Sequence, residues 1–126
     1  MPPTFAQLGV PETICRALER QGITAPFEIQ SAALADGLTG RDICGRAPTG
    51  SGKTLAYGIP LVARVDRADS RKPHALILAP TRELAEQIKT EIDSFAGPIR
   101  IGVVYGGVGY PHQIRALRQL LQHRLL

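Results

Sequence analysis

Apolar residues along this chain fall into two rhythms. Behind Pro11 and Glu12, residues Ile14, Cys15 and Leu18 recur at helical spacing, and Gly22 is placed to stop the helix. A second short helix is predicted over 29–38, closed by a turn at Gly40. Beyond it the pattern changes to short apolar runs, each followed by a longer amphipathic stretch. Run 42–45 leads through a Gly-rich turn to a helix from about Gly52. Run 75–79 leads through Pro80 to a helix over 82–95, and run 99–105 leads through Gly106 and Gly107 to a helix from about Pro111. Strand, loop and helix in repetition predict parallel strands joined by crossover helices, hence an α/β fold with a parallel sheet and flanking helices. Ligands of such folds gather at the carboxyl ends of the strands, so loops 47–54, 80–82 and 106–108 are expected to converge on one sheet edge.

Length adds that this is one domain: 126 residues with 44% hydrophobic content can bury one core and not two. The only linker-like segment is 64–73, rich in charge and ending in Pro. No apolar run approaches the roughly 18 residues a membrane span needs, and the first residues carry neither a basic leader nor an apolar signal core, so a cytoplasmic protein without a membrane partner is expected. Cys15 and Cys44 stand far apart and outside any Cys/His cluster, which argues against a zinc site or a disulfide scaffold. The net charge of +4 decides little alone. After Asp93 the only Lys, Arg, Asp or Glu residues are Arg100, Arg115, Arg118 and Arg124, so the basic excess sits in the last quarter. That stretch is open to two readings, nearness to phosphates or a solvated helix face.

The segment Ala47, Pro48, Thr49, Gly50, Ser51, Gly52, Lys53, Thr54 follows a predicted strand and opens a helix, the context a P-loop requires. Gly50 and Gly52 permit backbone angles that let successive N–H groups face phosphate oxygens. The helix start adds unpaired donors and a positive dipole end. Lys53 offers a cation for the β and γ phosphates, and the Thr54 hydroxyl a ligand for Mg²⁺. Ala47 stands where the general pattern has Gly, and in this the loop resembles the version found in helicases. Upstream, Gln30 closes the segment 22–30, and its carboxamide suits adenine, accepting from the exocyclic amine and donating to a ring nitrogen. Phe5, seventeen residues before Gly22, offers a ring to stack on the base.

Taken together, Phe5, Gly22, Pro26, Ile29 and Gln30 resemble the Q motif of DEAD-box RNA helicases, and 47–54 resembles their motif I. Pro80, Thr81, Arg82, Glu83, Leu84 and Ala85 are similar, residue for residue, to motif Ia, and Gly106 and Gly107 to the family's GG doublet. Phe27 and Glu28 depart from the commoner Thr and Pro. The resemblance implies a Q-motif region over 3–31 and a RecA-like P-loop NTPase domain over 34–126, incomplete at its C-terminal end. It implies ATP and Mg²⁺ as cofactors. It also implies RNA as a partner, held by its backbone without base reading through Pro80, Thr81, Arg82, Gly106 and Gly107. The residues of motif Ia read alone also fit an N-cap Thr, an Arg and a first-turn Glu, a start common to many helices.

The family's Asp-Glu-Ala-Asp strand, which organises Mg²⁺ and the attacking water, has no counterpart here, for no Asp or Glu follows Asp93. Motifs Ib and III and a second RecA-like domain with its arginine finger are also missing. No catalytic residue is therefore assigned, and no useful turnover is expected of the chain. An alternative is a non-catalytic remnant that binds RNA or a partner through its basic last quarter; a small P-loop kinase is a third reading, opposed by the Q motif and motif Ia. An exposed sheet edge and apolar patches favouring association are expected, with the oligomeric state open.

Overall fold

The computed structural model describes residues 2–65, 73–107 and 109–122, with side chains to residue 118. Among them lie five helices: α1 (Glu12–Glu19), α2 (Glu28–Leu38), α3 (Lys53–Arg64), α4 (Arg82–Asp93) and α5 (Tyr110–Gln122). Most of the predicted linker 64–73, Val108 of the last loop and the tail from residue 123 lie outside the described residues.

The helix ends follow from local chemistry. Past α1, Gly22 takes a left-handed φ of 79°, and two closing bonds, Gly22 N–H to Glu19 and Ile23 N–H to Leu18, use up terminal carbonyls. The same pair of bonds recurs past α2, where Gly40 (φ 88°) and Arg41 donate to Gly37 and Asp36. At the start of α4, Thr81 is extended and its Oγ1 accepts from Leu84 N–H at 3.2 Å, satisfying one first-turn donor.

Packing ties the first four helices together. Phe5, Val10, Ile14, Leu18, Leu34, Ile59, Val62, Ile88, Ile92 and Phe95 form a single buried cluster. Close approach needs small residues at two points. A side chain at Gly37 would collide with the Pro60 ring, 2.8 Å from its Cγ, and one at Gly58 would stand 3.1 Å from Ile92 and 3.2 Å from Phe95. Gly37 thus seats α2 on α3 at the turn where Pro60 already interrupts the α3 ladder, and Gly58 seats α3 on α4. Gln21 Nε2 adds a long-range tie to the Ser94 carbonyl at 3.2 Å.

The predicted parallel sheet is not confirmed: among the described residues no strand is paired, and no backbone bond links runs 42–45, 75–79 and 99–105. Two of the runs nevertheless keep the period of a strand. Ile77 and Ala79 face the core while Leu76 and Leu78 are 80% and 85% exposed; Ile99, Ile101, Val103 and Tyr105 are half-buried while Arg100, Gly102 and Val104 are exposed. Ile77, Ala79, Ile99 and Ile101 pack against the core cluster, and residues of 73–82 and 99–106 line a cleft of about 700 Å³. Among the described residues no helix is long and apolar enough to cross a membrane.

Candidate functional site

The loop 47–54 leaves an exposed extended run and enters α3. Ala47 is half-buried; Pro48, Thr49 and Gly50 are exposed, and Ser51 N–H closes a turn on the Pro48 carbonyl at 3.3 Å. Both glycines take the left-handed backbone that the phosphate reading requires, Gly50 at φ 81° and Gly52 at φ 80°. Lys53 is the first residue of α3 and exposed, and among the described residues no ion pair holds it. Thr54 is half-buried beside it. The first-turn N–H groups of Lys53, Thr54 and Leu55 have no acceptor within the helix. Ser51 Oγ is buried without a hydrogen-bond partner among the described residues. An orphaned hydroxyl, free N–H groups and an unpaired cation at a helix start fit an anion of phosphate type. For a metal, the described residues hold no cluster of three His, Cys, Asp or Glu side chains. The Thr54 hydroxyl suits a magnesium ion that keeps water and phosphate oxygens as its other ligands.

Gln30 is the link between this loop and the helices before it. It is 1% exposed; its Oε1 accepts from Phe27 N–H at 2.9 Å and its Nε2 donates to the Gly52 carbonyl at 3.0 Å. That carbonyl also receives the first helical bond of α3, from Ala56 N–H. Phe27 cannot cap α2 with its own side chain, so Gln30 supplies the reciprocal half of the cap alone. The Phe27 ring is 57% exposed and lies against Gly52, 2.8 Å from where a side chain there would begin. Phe5 stands elsewhere: it is 4% exposed within the buried cluster, and its ring is not presented at an open face.

Motif Ia and the glycine doublet are brought together. The Arg82 guanidinium lies over the Tyr105 ring, 5.7 Å from its centroid, and a side chain at Gly107 would stand 3.4 Å from Arg82 Nη1. Tyr105 donates its hydroxyl to Glu86 Oε1 at 3.0 Å, and its backbone N–H donates to Gln113 Oε1 at 2.8 Å. The Glu86 carboxylate that accepts the phenol's proton also holds the phenol pKa above its ordinary range. Pro80, Thr81, Arg82 and Gly106 form the polar end of the cleft, and 47–54 does not line it. Of the three loops expected on one edge, two therefore meet. Sequence reasoning passed over Tyr105, Glu86 and Gln113. The signal was available in part: Arg82 and Glu86 are four residues apart on one helix face, and Tyr105 directly precedes the doublet.

Comparison with known proteins gives concordant results. A family model described as DEAD/DEAH box helicase matches residues 27–125. The chain is 49% identical over 111 residues to DEAD-box ATP-dependent RNA helicase 3 of Helianthus annuus, a match covering 82% of this chain and 47% of that protein. Among solved structures it is similar to a DEAD box protein from the hyperthermophile Methanococcus jannaschii, with TM-score 0.81 and 36% identity over 91% of this chain and 32% of the other. The RNA helicase Prp28 from Chaetomium thermophilum, bound to ADP, gives TM-score 0.78 and 40% identity, covering 89% and 29%. The chain thus spans less than half the length of each of these relatives.

Proposed function

The chain belongs to the DEAD/DEAH box helicase family, and on that premise we propose that it binds ATP with Mg²⁺ at 47–54 and RNA backbone at the joined Pro80–Arg82 and Gly106–Gly107 loops. The observation that carries the nucleotide half is the state of the P-loop. Two left-handed glycines open its backbone, Lys53 is unpaired among the described residues, and Ser51 Oγ lacks a partner there, all at the start of α3. Magnesium would supply charge neutralisation between the phosphates, held on this side by the Thr54 hydroxyl. Gln30 keeps one N–H and one lone pair beyond those spent on Gly52 and Phe27, enough to pair with adenine's amine and a ring nitrogen. Gln30 is almost fully buried, with the exposed Phe27 ring beside it against the same Gly52. Phe5 contributes from beneath, as part of the core that carries the Q-motif region 3–31, with the nucleotide-binding unit running over 34–126.

On the RNA side, Thr81 spends its lone pair on Leu84 N–H and keeps its hydroxyl proton for a phosphate oxygen. Arg82, exposed and cationic, adds a second phosphate contact, and the free N–H groups at the start of α4 complete a grip that reads no bases. A titration with a fluorescent adenine nucleotide and Mg²⁺ tests the reading. Saturable binding that a guanine nucleotide fails to compete, and that Lys53→Ala and Gln30→Ala abolish, is the expected result; a folded wild-type chain that binds neither nucleotide overturns it.

A further inference from the structure

Arg82 and Glu86 stand four residues apart on α4, a spacing at which an Arg and a Glu can pair. Among the described residues they do not: no carboxylate lies within ion-pair distance of the Arg82 guanidinium. Glu86 instead accepts the Tyr105 hydroxyl at 3.0 Å, and the Tyr105 ring lies under the guanidinium, 5.7 Å from centroid to Cζ. Tyr105 is itself fixed, through its backbone N–H, by Gln113 of α5 at 2.8 Å. One aromatic residue thus does two things. Its face supports the cation, and its hydroxyl holds away the carboxylate that would otherwise neutralise it.

We infer that Tyr105 is a positioning residue for RNA backbone binding, sequestering Glu86 so that Arg82 presents an unpaired guanidinium to a phosphate group. This rests on the motif Ia reading above and deepens it. Phosphate recognition by Arg depends on a planar fork with its N–H donors free. An intramolecular carboxylate four residues away competes for those same donors at an effective concentration no free phosphate reaches. The phenol removes that competitor without removing its charge. It keeps its proton at neutral pH, as phenols do, and the adjoining carboxylate opposes its ionisation further.

The experiment measures binding of a fluorescein-labelled oligouridylate by anisotropy over a range of KCl concentrations, with circular dichroism and the thermal midpoint as controls of folding. Arg82→Ala is expected to weaken binding about tenfold and to reduce the salt slope by about 0.7, the loss of one phosphate contact on a single strand. Tyr105→Phe keeps the ring and removes the hydroxyl. It is expected to weaken binding several-fold and to lower the salt slope although no charge has changed. Glu86→Gln added to Tyr105→Phe restores both the affinity and the slope. A merely structural tyrosine would show no such rescue. Wild-type binding by Tyr105→Phe, or a double variant as weak as Tyr105→Phe alone, overturns the inference while leaving motif Ia intact. Unchanged affinity and slope in Arg82→Ala, or no binding by the folded wild type, overturns the motif Ia reading itself, and the inference with it.

Discussion

Gln30 and Gly52 share a hydrogen bond of 3.0 Å, from the carboxamide Nε2 to the carbonyl oxygen, that ties the start of α2 to the start of α3 across the P-loop. The side chain expected to read adenine is also a structural strut. Gln30→Ala removes that bond and the one from Phe27 N–H, and leaves a void in a position that is 1% exposed. A loss of about 1–3 kcal/mol is expected, visible as a lower urea midpoint with unchanged slope. Gln30→Glu places a carboxylate beside the Gly52 carbonyl, replacing attraction by repulsion, and should lower the midpoint further at neutral pH. A Gln30→Ala chain as stable as wild type would show that the strut carries no stability.

The two P-loop glycines separate conformational strain from collision. Gly50 and Gly52 share nearly the same positive φ, but nothing lies within 4 Å of a side chain added at Gly50, whereas one at Gly52 runs into Gln30 Nε2 and the Phe27 ring. Gly50→Ala is expected to cost about 1 kcal/mol, the strain of a left-handed alanine. Gly52→Ala adds the displacement of Gln30 and should cost at least about 1 kcal/mol more. Thermal midpoints of the two variants decide it: equal shifts would mean that Gln30 yields without penalty.

How much of this was legible in the sequence depends on the range of the interaction. Helix ends at Gly22, Gly40 and Thr81 were legible because capping is local. The glycines of the P-loop were legible because a left-handed backbone before a helix demands them. The short apolar run 75–79 announced an extended segment, and in the structure it alternates, Ile77 and Ala79 inward, Leu76 and Leu78 outward. Its pairing was not legible, since a strand's partner is set by segments distant in sequence. The same holds at the site. Tyr105 meets Glu86 nineteen residues away and Gln30 meets Gly52 twenty-two away, and neither bond leaves a periodic trace. Phe5 shows the converse: an aromatic residue read for its chemistry is held in the buried cluster.

The two thiols should differ sharply in reactivity. Cys44 is exposed in the run before the P-loop. Cys15 is half-buried, its thiol donates to the Val10 carbonyl at 3.6 Å, and burial, then the neighbouring Glu19, raises its pKa above the ordinary thiol range. Since the folded value lies above the unfolded one, the contribution of this thiol to stability is fully present below the unfolded pKa and is lost as pH rises through the folded one. A brief iodoacetamide pulse at neutral pH, read by mass spectrometry, is expected to alkylate Cys44 and spare Cys15, with Cys15 gaining label only in strong alkali or denaturant. Equal labelling of both in the native chain would contradict the burial of the α1 face.

Leu76 and Leu78 are more exposed than any other large apolar residue among those described, and both lie on the face of run 75–79 that points away from Ile77 and Ala79. An unpaired extended run with an apolar outer face invites association with another chain. Replacing both leucines by lysine should reduce concentration-dependent self-association in sedimentation velocity and weaken binding of a hydrophobic dye. Stability should change by no more than about 0.5 kcal/mol, because these side chains touch solvent before and after. Ile77→Lys supplies the contrast. It puts an ammonium on the face packed against the core cluster and should cost about 2–4 kcal/mol. The pair of results separates the two faces of one five-residue run. If the outer lysines destabilise as strongly as the inner one, the run is buried on both sides in solution; if they do not, the outer face is the one that solvent meets.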